Sequence, residues 1–240
     1  MHRSIALIPA RSGSKRIKDK NTLRLNGHPL MAYTIRSAID SKIFDRVICV
    51  TDSLKYLKIA KKYGAEVPYL RPKEISGDKS PDIKWVKWVM NKLNKNNKYD
   101  IFSILRPTNP LRDEKVIKRA YKKFFQKKNC DSLRAVDLCK QHPFKMWKLK
   151  GKYMVPLIKS QKKIPFHSRQ YAQLPKIYTQ NASIEIAWTK VLKNKNPSIS
   201  GKKIIPYFSK GFDGFDINQP EDIFLLKYLI KKKIVKLKRF

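Results

Sequence analysis

Short apolar segments alternate with segments of helical periodicity along most of the chain. Brief runs of apolar and β-branched residues indicate buried strands, whereas apolar residues spaced three or four apart indicate helices. The predicted strands are residues 5–8, 44–50, 100–105, 180–188 and 204–207, and the predicted helices are residues 30–41, 54–63 and 82–93. Strands that alternate with helices form a parallel sheet with helices on both faces. The pattern therefore predicts an α/β fold with a mostly parallel sheet.

The segment that follows the first predicted strand carries the first candidate chemistry. It reads PARSGSKR from Pro9 to Arg16, with Asn21 shortly after it. A buried strand that opens into a loop of small residues and cations gathers backbone N–H groups, hydroxyls and positive charge at one sheet edge. The spelling matches neither G-x-x-x-x-G-K-[ST] nor G-x-G-x-x-G. We interpret the segment from Arg11 to Asn21 as a phosphate loop, with a solvated surface loop as the alternative.

Two further polar loops follow predicted strands, at Thr51–Ser53 and at Arg106–Arg112. Ligands of open parallel sheets bind outside the carboxyl ends of the strands. We therefore expect these two loops and the phosphate loop to border one cleft.

The chain carries 55 Lys and Arg against 18 Asp and Glu, a formal net charge of +37. Such a charge is typical of proteins that bind nucleic acid or an anionic membrane. Here the cations are spread along the whole chain and Lys far outnumbers Arg, whereas nucleic-acid binders concentrate Arg and aromatic residues on one element. We therefore favour a compositional bias of exposed faces, which would still attract an anionic substrate.

A non-enzymatic alternative stays open at the end of the chain. Lys231–Lys233 and the tail Lys236–Phe240 are compatible with a basic amphipathic helix that binds nucleic acid or a membrane surface. The competing interpretation is a solvated terminal helix, because helix C-termini attract positive charge in any case.

Cysteine content and hydropathy indicate the compartment. Cys49, Cys130 and Cys139 are odd in number and lack C-x-x-C spacing, so we expect free thiols in a reducing environment and no metal knuckle. No signal-peptide pattern is visible, and no segment approaches the ~20 apolar residues that span a bilayer. We expect a cytoplasmic protein with no membrane or nucleic-acid partner.

The periodicity changes near Asp137 and returns near Gln180. We predict a main α/β domain made of residues 1–139 and 174–240, with an irregular excursion over residues 140–173. Near the end of the chain, Phe215–Ile217 is predicted to end a strand that leads through Pro220 into a helix. Taken alone, Asp216–Asn218 is also consistent with the N-cap of that helix.

The assembled motifs resemble those of the acylneuraminate cytidylyltransferases, the CMP-sialic acid synthetases and their relatives. The resembling blocks, in chain order, are residues 8–15 with 21, 51–53, 67–72, 106–112, 169–170 with 174–175 and 178, 181, and 216–218. The resemblance implies a Rossmann-like fold of the nucleotide-diphospho-sugar transferase type. It implies that CTP and a nine-carbon 2-keto sugar acid (a nonulosonic acid) give a CMP-sugar and pyrophosphate, for surface glycan biosynthesis. It also implies a divalent metal, Mg²⁺ or Mn²⁺, and a homodimer formed by the excursion.

The same resemblance assigns roles to individual residues. The implied catalytic residues are Arg11, Lys15 and Asp216. The implied nucleotide-binding residues are Arg11, Ser12, Gly13, Ser14, Lys15, Asn21 and Arg71. The implied sugar-binding residues are Arg106, Thr108, Asn109, Arg169, Gln170, Tyr178, Asn181 and Glu185, and the implied metal ligands are Asp216 and Asn218.

Four departures from the family pattern leave the sugar and the metal ligands open. Arg106 replaces a Gln, Arg16 replaces a Gly, Glu185 falls where an aromatic residue is more usual, and Asn218 replaces a carboxylate found in many members. Legionaminic acid, pseudaminic acid and other 2-keto sugar acids are therefore all candidates. The related enzyme for the eight-carbon acid of lipopolysaccharide is the alternative, although its Ser-Thr-Arg-Leu-Pro run is Ser12-Gly13-Ser14-Lys15 in this chain.

Overall fold

A computed structural model describes residues 2–95, 98–160 and 163–240. The chain divides into two compact units, Met1–Ala135 with Asn181–Phe240, and Val136–Gln180. The predicted excursion, residues 140–173, lies inside the second unit. Its role in dimerisation stays a prediction.

A six-stranded sheet organises the larger unit. In chain order the strands of the molecule are β1 (Ser4–Pro9), β2 (Arg24–Leu25), β3 (His28–Pro29), β4 (Arg46–Val50), β5 (Ile101–Ile104), β6 (Ser132–Leu138), β7 (Trp147–Lys150), β8 (Tyr153–Pro156), β9 (Tyr178–Trp188) and β10 (Ile204–Phe208). The sheet order is β10-β6-β9-β5-β1-β4. Strand β1 is parallel to both neighbours, whereas β9 runs antiparallel to β5. The predicted α/β architecture is confirmed, and the antiparallel insertion of β9 is a feature that the alternation of elements did not indicate.

Within the described residues, five α-helices accompany the sheet. They are α1 (Leu30–Asp40), α2 (Leu54–Lys62), α3 (Asp82–Leu93), α4 (Glu114–Gln126) and α5 (Pro220–Lys231). The four helices expected from periodicity and from Pro220 are present, while α4 and β6 were not predicted. Ser53 caps α2 by accepting a hydrogen bond from the N–H of Tyr56.

Alternate residues of β1 pack on opposite faces of the sheet. Ile5 and Leu7 belong to the same buried cluster as Trp85 of α3, whereas Ala6 and Ile8 belong to the cluster that contains α1 and α4. This alternation follows from the two-residue period of a strand. Burial on both faces fixes the end of β1, and with it the start of the phosphate loop.

The segment before α5 is not the end of a strand. Residues 215–218 have no regular secondary structure, and the buried side chain of Ile217 anchors them in a cluster with Leu226 of α5. Helix α5 is capped instead by Gln219, which forms a reciprocal capping box with Asp222. The N-cap alternative for Asp216–Asn218 is therefore wrong, and the side chain of Asp216 does not cap α5.

The second unit is more regular than we expected. Strands β7 and β8 form an antiparallel ribbon in which Trp147 lies opposite Pro156 and Lys150 lies opposite Tyr153. Most residues of both strands are exposed. Residues 147–150 do alternate apolar and polar side chains, but a run of four residues is at the lower limit of strand length, so it was not recognised as a strand in sequence.

The basic tail is not a helix. Helix α5 ends at Lys231, and residues 236–240 have no regular structure. Lys238 Nζ lies 2.7 Å from Asp40 Oδ2 and 2.6 Å from Glu114 Oε2, and the ring of Phe240 stacks on His28. Both helical interpretations of the tail are therefore wrong. Among the described residues, no helix combines the length and apolar character that crossing a bilayer requires.

The three cysteines are free thiols, as predicted. Cys49 and Cys130 are buried, and burial raises the pKa of the Cys49 thiol to about 12.

Candidate active site

A cavity of about 570 Å³ lies at the carboxyl end of the sheet. Its walls come from the phosphate loop, from the loop after β5, from residues 71–85 and from Asp216 with Asn218. The expected convergence of the phosphate loop and the Arg106 loop is thus observed. The Thr51–Ser53 loop does not line the cavity but supports the phosphate loop from behind.

Asp52 and Asn21 hold the phosphate loop in shape. Asp52 accepts hydrogen bonds from the backbone N–H of Ser12 at 2.7 Å and from Ser12 Oγ at 3.0 Å. Asn21 Nδ2 donates to the carbonyl of Arg11 at 3.0 Å, and Gly13 has a φ of +72°, which favours glycine. Ser12 and Gly13 therefore shape the loop without lining the cavity, while Arg11 and Asn21 line it.

The cavity is strongly cationic. Among the described residues that line it, six are Lys or Arg and three are Asp. Arg11, Ser14, Lys15 and Arg16 come from the phosphate loop, and the carboxylate of Asp78 contacts both Arg11 and Lys15. A concave site with an excess of positive charge attracts polyanions.

Arg71 is buried against the opposite wall. Its guanidinium donates to the carbonyl of Ile75 and lies 5.6 Å from the ring centre of Trp85. The backbone N–H of Arg71 donates to the carbonyl of Thr51 at 2.7 Å. Burial lowers the pKa of Arg71 to about 10, with Asp52 and Asp82 opposing the shift. These contacts fix a planar cation at the edge of the cavity.

The loop after β5 positions Asp216. The carbonyl of Thr108 accepts a hydrogen bond from the N–H of Ile217 at 2.9 Å, and Asn109 Nδ2 donates to the carbonyl of Phe215 at 2.8 Å. Thr108 lines the cavity, whereas Asn109 is fully buried and does not. The predicted sugar-binding residue Asn109 therefore holds the backbone on which Asp216 is carried.

The two oxygens of Asp216 differ in their environment. Oδ2 accepts a hydrogen bond from Asn218 Nδ2 at 2.6 Å. Oδ1 is buried and has no hydrogen-bond partner among the described residues. A buried carboxylate oxygen without a partner is rare, and it is available to a cation.

Lys20 is a cavity residue that the sequence analysis missed. Its Nζ donates to the carbonyl of Ile217 at 2.8 Å. Burial lowers the pKa of Lys20, and the negative charge of Asp216 partly opposes that shift. The only sequence signal was its position just before Asn21, in a chain where Lys occurs everywhere.

Arg106 belongs to a network of buried and half-buried charges. Its Nη2 lies 2.5 Å from Asp82 Oδ2 and 3.0 Å from Glu185 Oε1, and Glu185 Oε2 lies 3.1 Å from Arg134 Nη1. Trp85 Nε1 donates to the other oxygen of Asp82 at 2.7 Å. Burial acts to lower the pKa of Arg106, but the carboxylates of Glu185 and Asp82 outweigh burial and raise it. Arg106 lines the cavity, whereas Glu185 lies behind it.

Of the other predicted sugar-binding residues, Asn181 belongs to the larger unit but does not line the cavity. Asn181 Nδ2 donates to Ser209 Oγ at 2.6 Å, and Asn181 Oδ1 accepts from the N–H of Ser183. The remaining three, Arg169, Gln170 and Tyr178, belong to the second unit. There the guanidinium of Arg169 donates to the carbonyl of Ile164 and lies over the ring of Phe166.

A family model described as cytidylyltransferase matches residues 5–211, which include the phosphate loop, the segment 71–85 and the loop after β5, whereas Asp216 and Asn218 lie beyond the matched range. The chain belongs to the cytidylyltransferase family. The resemblance drawn from the sequence motifs is thereby confirmed, as is the assignment to the nucleotidyltransferases.

Curated relatives of this cytidylyltransferase include three bacterial proteins. An N-acylneuraminate cytidylyltransferase of Escherichia coli is 43% identical over 118 residues, 49% of this chain and 27% of that protein. The post-translational flagellin modification protein B of Campylobacter coli is 31% identical over 243 residues, with 100% of both chains covered. A pseudaminic acid cytidylyltransferase of Campylobacter jejuni is 38% identical over 125 residues, 52% of this chain and 54% of that protein. The matches to the two named cytidylyltransferases thus span about half of the relative's length or less.

Solved structures share the fold. A CMP:2-keto-3-deoxy-manno-octonic acid synthetase in complex with CTP aligns with a TM-score of 0.68, 14% sequence identity and coverage of 96% of this chain and 99% of that one. At this identity the likeness establishes the architecture, and it confirms the predicted Rossmann-like fold.

Proposed function

We propose that this cytidylyltransferase transfers CMP from CTP to the anomeric hydroxyl of a nonulosonic acid. The hydroxyl oxygen attacks the α-phosphorus, the bond from that phosphorus to the β-phosphate oxygen breaks, and pyrophosphate and the hydroxyl proton leave. The observation that carries the proposal is the meeting of the phosphate loop, Arg71 and Asp216 in one cationic cavity. The names of the relatives, which include neuraminic and pseudaminic acid enzymes, support the choice of acceptor.

Positioning and charge neutralisation supply most of the catalysis in phosphoryl and nucleotidyl transfer. Arg11 and Lys15 offer a forked and a point-like cation to phosphate oxygens. Arg71 is held rigidly between Ile75 and Trp85, so it can orient the nucleotide without itself being reorganised. We assign these three residues to CTP.

The residues at Asp216 fit a divalent cation. Mg²⁺ binds one or two protein carboxylates and completes its shell with substrate phosphate and water. Asp216 Oδ1 is buried and has no hydrogen-bond partner in the part of the chain that the structure describes, which suits this role. Asn218 is the weaker candidate ligand, because its Oδ1 lies 3.4 Å from the guanidinium of Arg16 and its Nδ2 faces Asp216. A bound Mg²⁺ would neutralise charge on the triphosphate.

Among the described residues, no group of three or more His, Cys, Asp and Glu side chains could hold a metal ion. Asp216 would therefore hold Mg²⁺ as the main protein ligand, with the triphosphate as the larger part of the shell. Mn²⁺ binds to the same kinds of oxygen ligand.

Arg106 is the side chain best placed to determine specificity for the sugar acid. It lines the cavity and is held by two carboxylates, and within the described part of the chain only its Nη2 contacts Asp82 and Glu185. An Arg at this position favours an acceptor oxygen of the sugar acid. We assign Thr108 beside it to the same subsite, and Arg169, Gln170, Tyr178 and Asn181 stay proposed sugar contacts.

We further propose a homodimer formed through the second unit. Leu149, Tyr153 and Met154 on the β7–β8 ribbon are 80%, 76% and 62% exposed. Exposed large apolar side chains grouped on one ribbon are typical of an interface between subunits.

The decisive test is a pyrophosphate-release assay. The purified chain is incubated with CTP, Mg²⁺ and a panel of neuraminic, legionaminic and pseudaminic acids, with the eight-carbon 2-keto acid as a further arm. We expect release with at least one nine-carbon acid. Release with the eight-carbon acid alone would favour the alternative enzyme. No release with any acid, under conditions in which a pseudaminic acid cytidylyltransferase is active, would refute the proposal.

Replacement of Lys20 by Met should lower kcat/KM for CTP without unfolding the chain. The ammonium donates to the carbonyl of Ile217 and lines the cavity, so its loss removes a charge-assisted hydrogen bond beside Asp216. Such bonds contribute roughly 1.5–3 kcal/mol to the stability of the fold. The loss of this positive charge from the cavity should lower kcat/KM for CTP by about tenfold, which is roughly 1.4 kcal/mol of transition-state stabilisation. Lys18→Met, which removes a nearby Lys from outside the cavity, is the matched control and should be near neutral. Equal rates for both variants would contradict the role of Lys20.

A further inference from the structure

Asp78 contacts two cations of the phosphate loop at once. It lies between the 3-10 helix Lys73–Ile75 and α3. Its Oδ1 accepts a hydrogen bond from Arg11 Nη2, and its Oδ2 lies 2.9 Å from Lys15 Nζ. All three side chains line the cavity. The contacts with Lys15 and Arg11 hold the pKa of Asp78 below its ordinary value, so the carboxylate is charged at neutral pH.

The carboxylate of Asp78 contacts Arg11 and Lys15 in the way that a phosphate group would contact them. A carboxylate and a terminal phosphate both present paired anionic oxygens to Arg and Lys. Arg11 and Lys15 are the cations that we assign to the triphosphate. While Asp78 contacts Arg11 and Lys15, some of their N–H groups already donate to its carboxylate and are not available to a ligand.

The segment that carries Asp78 has the features of a displaceable element. Asp78 is about one-third exposed, and among the described residues its only ion-pair partners are Arg11 and Lys15. Two residues later, Ser80 Oγ is buried at the cavity wall with no hydrogen-bond partner in the described part of the chain. The segment therefore presents a replaceable charge and an unsatisfied hydroxyl to the same cavity.

We propose that Asp78 is a built-in counterion that competes with the phosphates of the nucleotide for Arg11 and Lys15. The inference rests on the proposed function, because it requires the cavity to bind CTP. The nucleotide displaces the carboxylate on entry. The return of Asp78 to the same cations favours the release of pyrophosphate after transfer. Asp78 thus lowers affinity for substrate phosphates and limits inhibition by the product.

The test measures binding rather than turnover. Calorimetric titrations of CTP, pyrophosphate and cytidine are made against the wild-type chain and Asp78→Asn, in EDTA so that no metal ion contributes. Glu74→Gln is the matched control, because Glu74 is exposed, lies four residues away, lies outside the cavity lining and gives the same change of charge.

We expect Asp78→Asn to bind CTP and pyrophosphate about three- to tenfold more tightly, the range expected for release of exposed ion pairs. Cytidine, which has no phosphate, should bind both proteins equally, and Glu74→Gln should change the phosphate affinities by less than about twofold. Weaker or unchanged binding of pyrophosphate by Asp78→Asn would overturn the inference. Equal tightening in Asp78→Asn and Glu74→Gln would also overturn it, since the effect would then be general electrostatics.

The two proposals fail in distinguishable ways. If the wild-type chain binds CTP neither in EDTA nor after Mg²⁺ is added, the nucleotide half of the proposed function is refuted, and the role of Asp78 with it. If the wild-type chain binds CTP and Asp78→Asn binds it no more tightly, only the role of Asp78 is refuted.

Discussion

Replacement of Asp216 by Asn should lower kcat for CMP transfer by about three orders of magnitude, the scale expected when a principal group for charge stabilisation is lost from a nucleotidyl-transfer site. The substitution keeps the shape of the side chain but removes its charge. Asp216 Oδ1 is buried at the cavity wall and has no hydrogen-bond partner within the described residues, so this oxygen is available to a cation. A neutral amide oxygen offers Mg²⁺ much weaker binding.

The backbone around Asp216 should survive this change. It is fixed by the bonds from Ile217 to Thr108 and from Asn109 to Phe215, neither of which uses the carboxylate. The matched control is Glu221→Gln, which removes a nearby exposed carboxylate from the first turn of α5 and should retain wild-type kcat. The measurement is pyrophosphate release at saturating CTP over a range of Mg²⁺ concentrations. A kcat for Asp216→Asn within tenfold of wild type would remove Asp216 from the mechanism.

Asn218→Asp offers a second measurement on the same site. The new carboxylate would stand beside Asp216 and near Arg16, and it would add a charged oxygen to the proposed metal site. We expect the Mg²⁺ concentration needed for half-maximal activity to fall. If it rises, the amide of Asn218 positions Asp216 and the site has no room for a second carboxylate.

The parts of the site that could be predicted from sequence are those in which contiguous residues carry the chemistry. The phosphate loop follows a buried strand, and its Arg11, Ser14 and Lys15 line the cavity. Asp216 was found through its motif, although its local structure was misassigned. The strand prediction failed there because one anchored apolar residue, Ile217, does not make a strand.

The residues that the sequence did not reveal act through contacts between distant segments. Lys20, Asp78 and Asp82 look like ordinary surface charges in a chain with 55 cations. Asp82 begins helix α3, yet its carboxylate meets an Arg 24 residues away. Contacts of this kind depend on the tertiary fold, and no local pattern or spacing encodes them.

Contacts of this kind change the role that we assign to Glu185. From its position near the sugar motifs it was expected to contact the substrate. The structure buries its carboxylate between Arg106 and Arg134, with the side chain only 4% exposed. We infer that Glu185 positions Arg106 for the sugar rather than touching the sugar itself.

Glu185→Gln should therefore destabilise the fold strongly. Removing one partner of a buried ion pair leaves the other charge uncompensated and costs about 3–5 kcal/mol. Glu66→Gln is the control, because Glu66 pairs with Arg46 at the surface, where such pairs contribute roughly 1 kcal/mol or less. Urea unfolding of the two variants measures the difference directly. Loss of less than about 1 kcal/mol from Glu185→Gln would show that the pair is not buried in solution.

A double variant distinguishes two effects of losing Glu185: the instability caused by an unpaired buried charge, and the loss of orientation of Arg106. In Glu185→Met with Arg134→Met, one charge of each sign is removed, and Arg106 keeps its contact with Asp82. Replacing a buried ion pair by apolar residues of similar volume is often neutral, so we expect the double variant to recover most of the stability lost by Glu185→Gln. Its KM for the sugar acid should still rise while its KM for CTP does not, because Arg106 has lost one of the two carboxylates that orient it. An unchanged KM for the sugar acid would mean that Asp82 alone suffices to orient Arg106.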